Sequence, residues 1–560
     1  MDRWKKWAVL CAAAAYLAVY IFVSYRNLLV FPFVHSDESW LAGLSRDMLA
    51  AGNLGVTESF FDAKPRVPHA MKSLFHLMQM GAVGLGGFSV GSVRMLSLLA
   101  GIICLVLFYL CVRRMGSRWF ALGLTVLLSL DIQFIYASHF ARQEIFIALE
   151  LLVCLWILLG KKGRPGTGTA LILGVVTGLF VGIHPNSFLC AAVCGAIMVF
   201  EIVRQAAGKD KKGAVKTLGS LAAYTAAVLA VTAVYVGISF QFNPHFLPDY
   251  FLYGKEEFEL SSSGWARVGE LFSFFSGVYG RDNGTYYLPD VRLEMIAMAL
   301  AAGLSAAACL VMRGEPISES EALGGESVPD SEEDRWIQNT RVILEGAAGL
   351  AAGMVVIGRY NQTAVLFFFL FGWLFAGQVL QLFEKAGRTI GILILAAGLA
   401  VGSIWQIQNQ RPGEAENYAS YLDQLAELVP ADAPTIGNLN MEFYFDRGML
   451  KDYRNLPYVE GGVETYIREN QIEYICYSDE LDYLYEHRPY FHAIYGNAAF
   501  VRELKAFCET ACREVGRIHS LEYASRVNSL RGAEEWGTVR VYRVKQKGER
   551  LCVKPHCQEQ

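Results

Sequence analysis

At 560 residues, with 54% hydrophobic side chains, 13% aromatics and only 18% charged residues, the chain is too apolar for an ordinary soluble protein of its length. Its formal net charge of −4 comes with no concentrated basic patch, which argues against a nucleic-acid partner. The composition is that of a polytopic membrane protein.

The first apolar run, Trp7 to Val30, follows the basic residues Arg3, Lys5 and Lys6. It is long, has no small-residue cleavage site before the acidic stretch that follows, and precedes many more such runs, so it reads as a retained helix and not a signal peptide. Taking stretches of about 17–25 apolar residues as membrane-spanning predicts about eleven spans. They lie at 7–30, 92–112, 118–136, 143–160, 169–187, 188–203, 217–240, 291–312, 341–358, 362–383 and 388–407. Lys and Arg clusters such as Arg113/Arg114/Arg118, Lys161/Lys162/Arg164 and Lys209/Lys211/Lys212/Lys216 fall on one alternating set of loops, which is assigned to the cytoplasm. The N-terminus is then cytoplasmic, the loop from Pro32 to Arg94 lies outside, and an odd number of spans leaves the C-terminal part outside too. A Glu-, Ser- and Gly-rich stretch from Gly314 to Asp334 belongs to a cytoplasmic loop, and its composition suits a flexible segment.

The loop after the first span begins His35-Ser36-Asp37-Glu38-Ser39-Trp40, two adjacent carboxylates where a helix would leave the bilayer. Apolar residues at Trp40, Leu41, Leu44, Met48 and Leu49 predict an amphipathic helix over Asp37–Leu49 lying in the interface, with Ser36 or Asp37 as its cap. Phe60-Phe61-Asp62-Ala63-Lys64-Pro65 follows, then a second amphipathic run from Val67 to Met80, and Arg94 opens the next span. Between the third and fourth spans come Arg142 and Glu144, a candidate site pair for which a buried ion pair is the structural alternative. His184-Pro185-Asn186 marks a tight break where His184 either lines a cavity or only makes a turn. An aromatic-rich external segment covers Asn243 to Asp290, and Arg359-Tyr360 falls outside between the ninth and tenth spans.

From Gln408 the pattern changes. Tyr418–Leu428 reads as a helix, Thr435–Gly437 as a strand edge, Asn440–Phe445 as a helical turn, and Ile472–Tyr477 and Val539–Val544 as strands, together a small α/β domain. The expected domains are therefore a membrane domain at 1–407, with external loops at about 31–91 and 241–290 and the acidic cytoplasmic loop at about 313–340, and an extracytoplasmic α/β domain at 408–560. Of the 12 cysteines, Cys476, Cys508, Cys512, Cys552 and Cys557 fall in the outer domain. Cys508 and Cys512 are one helical turn apart, and a disulfide tying Cys552 or Cys557 to them is favoured over a four-thiolate zinc site.

The order Asp37-Glu38, then Lys64-Pro65-Arg66, then Arg94-Met95-Leu96-Ser97 resembles the first external loop of the GT-C membrane glycosyltransferases, the protein O-mannosyltransferase and aminoarabinose transferase group. Arg66 stands where that group has a second Pro, and Ala63 where an acidic residue often precedes the Lys, with Asp62 one position earlier. Arg142 with Glu144, in place of the group's usual Asp, and Arg359-Tyr360 add to the likeness. The resemblance implies a GT-C fold with about eleven helices and a sugar donor linked to polyprenyl phosphate.

Such a donor carries a good leaving group, so the reaction needs a base for the acceptor hydroxyl and cations for the phosphate. Asp37 is the candidate base, Glu38 a supporting carboxylate, and Glu144 a third catalytic candidate. Lys64, Arg142 and Arg359 are carried over as donor phosphate ligands, and Arg94 is expected to fix the start of the second span at the interface. His35, His184 and Tyr360 are candidate cavity-lining residues. One base opposite the leaving group implies inversion at the anomeric carbon. No cofactor is implied; a divalent metal stays open, with His35, His69 and His76 close in sequence but His69 and His76 two turns apart on the expected helix. The acceptor is a protein, a polysaccharide or a glycolipid. The alternative function is a transporter or flippase of lipid-linked saccharides, which would place ionisable residues near the membrane midplane in repeated halves.

Overall fold

The computed structural model describes residues 2–258, 266–269, 271, 290–313, 331–357, 362–385, 387, 396–405, 417–490 and 495–545. Arg359, Tyr360, Cys552, Cys557, most of the acidic loop and much of the aromatic-rich segment lie outside them. The chain divides into two compact units, Met1–Val56 with Val67–Gly413, and Thr57–Arg66 with Glu414–Gln560. Ten residues of the first loop thus belong to the C-terminal unit, which sequence alone had placed at 408–560.

The first unit contains α1 (Asp2–Asn27), α2 (Ser36–Ala51), α3 (Ser73–Gly86), α4 (Val90–Met115), α5 (Arg118–Leu130), α6 (Ile132–His139), α7 (Glu144–Gly160), α8 (Thr167–Val181), α9 (Ser187–Ala207), α10 (Lys211–Phe242), α11 (Phe246–Phe258), α12 (Arg292–Arg313), α13 (Glu332–Ile357) and α14 (Val365–Lys385). A short apolar helix, α15, covers Ala396–Trp405. Among the described residues seven helices are long and apolar enough to cross a membrane, or eight if α5 and α6 form one span bent by 68°. The chain is a multi-pass membrane protein. Other stretches expected to span are helical but shorter, α7 with 17 residues and α8 with 15.

The bend has a local cause. Asp131 caps α6 by accepting from Phe134 N at 2.9 Å, and its other carboxylate oxygen accepts from the Trp373 indole of α14 at 2.8 Å. One continuous span expected at 118–136 is therefore two helices. Burial sorts the helices: α14 buries Leu366, Phe367, Leu370 and Leu374 completely, whereas α12 exposes Leu293, Ile296, Leu300 and Leu304, an apolar stripe suited to lipid. Small residues permit the closest helix contacts, as at Gly349 of α13, where an added Cβ would lie 2.7 Å from the Ala192 carbonyl oxygen of α9.

In the second unit, strands β1 (Thr435–Gly437), β2 (Leu450–Asp452), β3 (Tyr474–Ser478), β4 (Cys512–His519) and β5 (Thr538–Val544) form one sheet in the order β2-β1-β3-β5-β4. β1 runs parallel to both β2 and β3, while β5 is antiparallel to β3 and β4. Helices at Tyr418–Leu428, Gly462–Glu469, Glu480–His487 and Phe500–Ala511 accompany it. The core gathers Ile436, Ile475 and Tyr477 of the sheet with Val463, Ile467, Leu481 and Leu504 of the helices. β2 and β4 were not apparent in the sequence. Cys512 is the first residue of β4 and not a member of the Cys508 helix, which ends at Ala511.

Candidate active site

The acidic entry to α2 is built around its cap. His35, not Ser36 or Asp37, caps the helix: its Nδ1 accepts from Asp37 N at 3.0 Å, and the Glu38 carboxylate accepts from His35 N at 3.1 Å. This reciprocal pairing satisfies amides that a helix N-terminus otherwise leaves open. α2 buries Leu41, Leu44 and Met48 together with Glu38, Ser39, Ser45 and Asp47.

Glu38 does more than complete the cap. Arg94 Nε and Nη2 each donate to its carboxylate at 2.7 Å, and Ala141 N donates to Oε1 at 2.9 Å. Arg94 Nη1 donates to Leu28 O at 2.8 Å. Both side chains are completely buried. Arg94, expected to fix the start of the second span, does so through buried contacts, and its charge is neutralised internally, as a buried guanidinium requires. The pair joins the end of α1, the start of α2, the start of α4 and the connection from α6 to α7.

The neighbouring carboxylate behaves differently. Asp37 Oδ2 accepts from Arg142 Nη1 at 2.5 Å, and the Asp37 side chain remains 21% exposed. Arg142 Nη2 lies 3.0 Å from Glu144 Oε1, and the Thr363 hydroxyl donates to the same oxygen at 2.7 Å. Arg142 and Glu144 are both largely buried. The order Asp37, Arg142, Glu144, Thr363 therefore forms one polar chain, with Asp37 its most accessible carboxylate. Phe140 backs it, 6.0 Å from both the His35 ring and the Arg142 guanidinium.

Lys64 is in the second unit, its ammonium 4.3 Å from the centre of the Tyr458 ring. His184 is half-buried and its Nδ1 accepts from Asn186 N at 3.0 Å, as in a simple turn. The helix expected from Val67 begins only at Ser73; ahead of it His69 Nδ1 takes the Met71 amide at 3.2 Å, a local turn in place of a helical bond. His69 therefore shares no helix with His76, which pairs with Ser45 at 2.8 Å. Among the described residues no group of three or more His, Cys, Asp and Glu side chains is placed to share an ion. Among the described residues Cys508 and Cys512 form no disulfide and lie beside each other, and the hydrogen bond from Cys508 lowers the Cys512 pKa; the expected partners Cys552 and Cys557 lie outside the described residues. The Thr363 hydroxyl and the His35 cap escaped the sequence reading. Neither has a motif; Thr363 is 219 residues from its partner Glu144.

No family model matches the sequence, and no curated protein matches it either. Solved structures do. ArnT from Cupriavidus metallidurans bound to undecaprenyl phosphate superposes with a TM-score of 0.51 at 16% identity, over 97% of this chain and 99% of that one. The oligosaccharyltransferase of Archaeoglobus fulgidus tethered with an acceptor peptide gives 0.53 at 12% identity, over 96% of this chain and 75% of that one. The chain has the GT-C fold. At these identities the likeness concerns architecture. Within this GT-C fold the Glu38–Arg94 pair and the Asp37–Arg142–Glu144 chain are properties of the residues described above.

Proposed function

We propose that the chain is an integral membrane glycosyltransferase that moves a sugar from a polyprenyl-phosphate-linked donor to an acceptor hydroxyl on the outer face of the membrane, with inversion. The observation that carries the proposal is Asp37, a partly exposed carboxylate on a helix start held by a buried ion pair. The ArnT structure named above, bound to undecaprenyl phosphate, supports the donor class. Asp37 acts as general base. It takes the proton of the acceptor hydroxyl as that oxygen bonds to the anomeric carbon, and the bond from that carbon to the phosphate oxygen breaks with its electrons on the departing polyprenyl phosphate. Arg142, with Lys64 and Arg359, neutralises the growing phosphate charge. Glu144 and Thr363 orient Arg142, and Glu38 acts by positioning Asp37, since its carboxylate is occupied by protein donors. His35 supports the same helix start, with His184 and Tyr360 as candidate cavity-lining residues. The N-terminus is cytoplasmic and the C-terminal unit extracytoplasmic in the cell membrane, on the distribution of Lys and Arg. Protein, polysaccharide and glycolipid remain the acceptor classes.

The test is transfer of radiolabelled sugar from a panel of synthetic polyprenyl-phosphate sugars into a membrane extract, comparing wild type with Asp37→Asn. Loss of a general base lowers the rate by about 10²–10⁴-fold, with expression and donor binding retained. Equal rates in the two proteins would remove Asp37 from the mechanism. No transfer by wild type, with lipid-linked sugar instead crossing proteoliposome bilayers, would replace the transferase with a flippase.

A further inference from the structure

The stretch Thr57–Arg66 belongs to the C-terminal unit, and one short helical turn of that unit, Tyr453–Tyr458, grips it. Asn455 is completely buried and uses both ends of its carboxamide. Its Nδ2 donates to Phe60 O at 2.8 Å and its Oδ1 accepts from Ala63 N at 3.2 Å, so the two residues between them are held as a turn. Asp452 N also donates to Phe60 O, at 3.1 Å, and Lys451 Nζ donates to Ser59 O at 2.9 Å. Asp62 accepts from the Tyr466 hydroxyl at 2.7 Å and pairs with Lys451 Nζ at 2.9 Å. Burial, and the Asp62 carboxylate beside it, raise the Tyr466 pKa, which keeps that hydroxyl a donor. The Arg454 guanidinium covers Phe61, and Tyr458 lies beneath Lys64. A surface loop ordinarily varies its backbone freely, and these bonds remove that freedom from Ser59 to the amide of Ala63, the residue before Lys64.

We infer that Asn455 is a positioning residue: its clamp on Phe60 and Ala63 presets the backbone from which Lys64 meets a phosphate. The inference rests on the reading of Lys64 as a phosphate ligand, and it assigns the C-terminal unit a part in binding the donor. It requires that the turn be ordered before the anion arrives, so that the ordering entropy is not charged against binding.

Undecaprenyl phosphate serves as the probe, titrated by native mass spectrometry into the full-length protein in nanodiscs. Removing one charged contact weakens binding by about tenfold or more, so Lys64→Ala should lose that much. Asn455→Ala should come within about threefold of Lys64→Ala, and the double variant should bind no more weakly than Lys64→Ala, because the two substitutions remove one interaction. Tyr466→Phe keeps its volume and should show a smaller loss in the same direction. Hydrogen exchange at Ala63 and Lys64 should accelerate in Asn455→Ala while β3 and β5 keep their protection. Wild-type affinity in Asn455→Ala, or a double variant that loses both effects in full, overturns the inference. So does wild-type affinity in Lys64→Ala, which also removes Lys64 from the phosphate role. If the expected pattern holds in a protein that transfers no sugar, the inference stands and the transferase reading falls.

Discussion

Breaking the Glu38–Arg94 pair should expose how much of the site rests on it. Glu38→Gln keeps the side-chain volume but removes the charge opposite a guanidinium with no exposed surface. Arg94 then keeps a carboxamide oxygen and the Leu28 carbonyl, while the amide nitrogen of the substituted side chain faces one donor of Arg94 together with the amide of either Ala141 or His35. Leaving a buried charge without its partner is worth about 3–5 kcal/mol, a large fraction of the roughly 5–15 kcal/mol that holds an ordinary domain together. Arg94→Met should destabilise by a similar amount, since Glu38 would then be a buried carboxylate supported only by the His35 and Ala141 amides. The double variant Glu38→Gln/Arg94→Met leaves no net buried charge and should recover at least about half of the sum of the single losses. SDS titration of the purified protein, followed by tryptophan fluorescence, measures all four corners of the cycle. Single losses below about 1 kcal/mol, or strict additivity in the double variant, would refute the reasoning.

Two further outcomes follow from particular contacts. Asp131→Ala removes the cap of α6 and the acceptor for Trp373, and should lower stability by about 1–2 kcal/mol; hydrogen exchange should show the Phe134 amide losing protection first, and unchanged exchange there would contradict the capping role. In the C-terminal unit, burial raises the carboxyls of Asp452 and Glu480 above their ordinary 3.8 and 4.5, with Arg526 offsetting part of the effect. Because the folded-state values lie above the unfolded ones, the folded state binds these protons more tightly. Their contribution to stability is fully present below the unfolded values and is lost as pH rises through the folded ones. Asp452→Asn should therefore flatten the fall in stability as pH rises above about 4, measured by melting the full-length protein at stepped pH. A slope identical to wild type would remove Asp452 as a source.

Much of the architecture was legible because apolar run length and residue alternation are local properties. Long apolar stretches announced the helices, and the apolar run before Ser478 announced β3. β2, at three residues, and the exposed β4 carry too little pattern to be recognised. Asp131 interrupts an apolar stretch by only one residue, and its effect depends on Trp373 of α14 accepting the bend.

The site divides along the same line. Sequence order by itself determined that Asp37, Glu38, Lys64, Arg94, Arg142 and Glu144 deserved notice, since charged groups beside apolar spans are costly unless used or paired. It could not separate two adjacent carboxylates of the same chemistry. That separation is tertiary: Glu38 faces Arg94 and is enclosed, while Asp37, one residue earlier on the helix, turns to Arg142 and keeps an exposed edge. Membership of Lys64 in the C-terminal unit is likewise tertiary, because hydrogen bonds between Asn455 and residues 60 and 63 span nearly 400 positions of chain, a separation that no local pattern encodes.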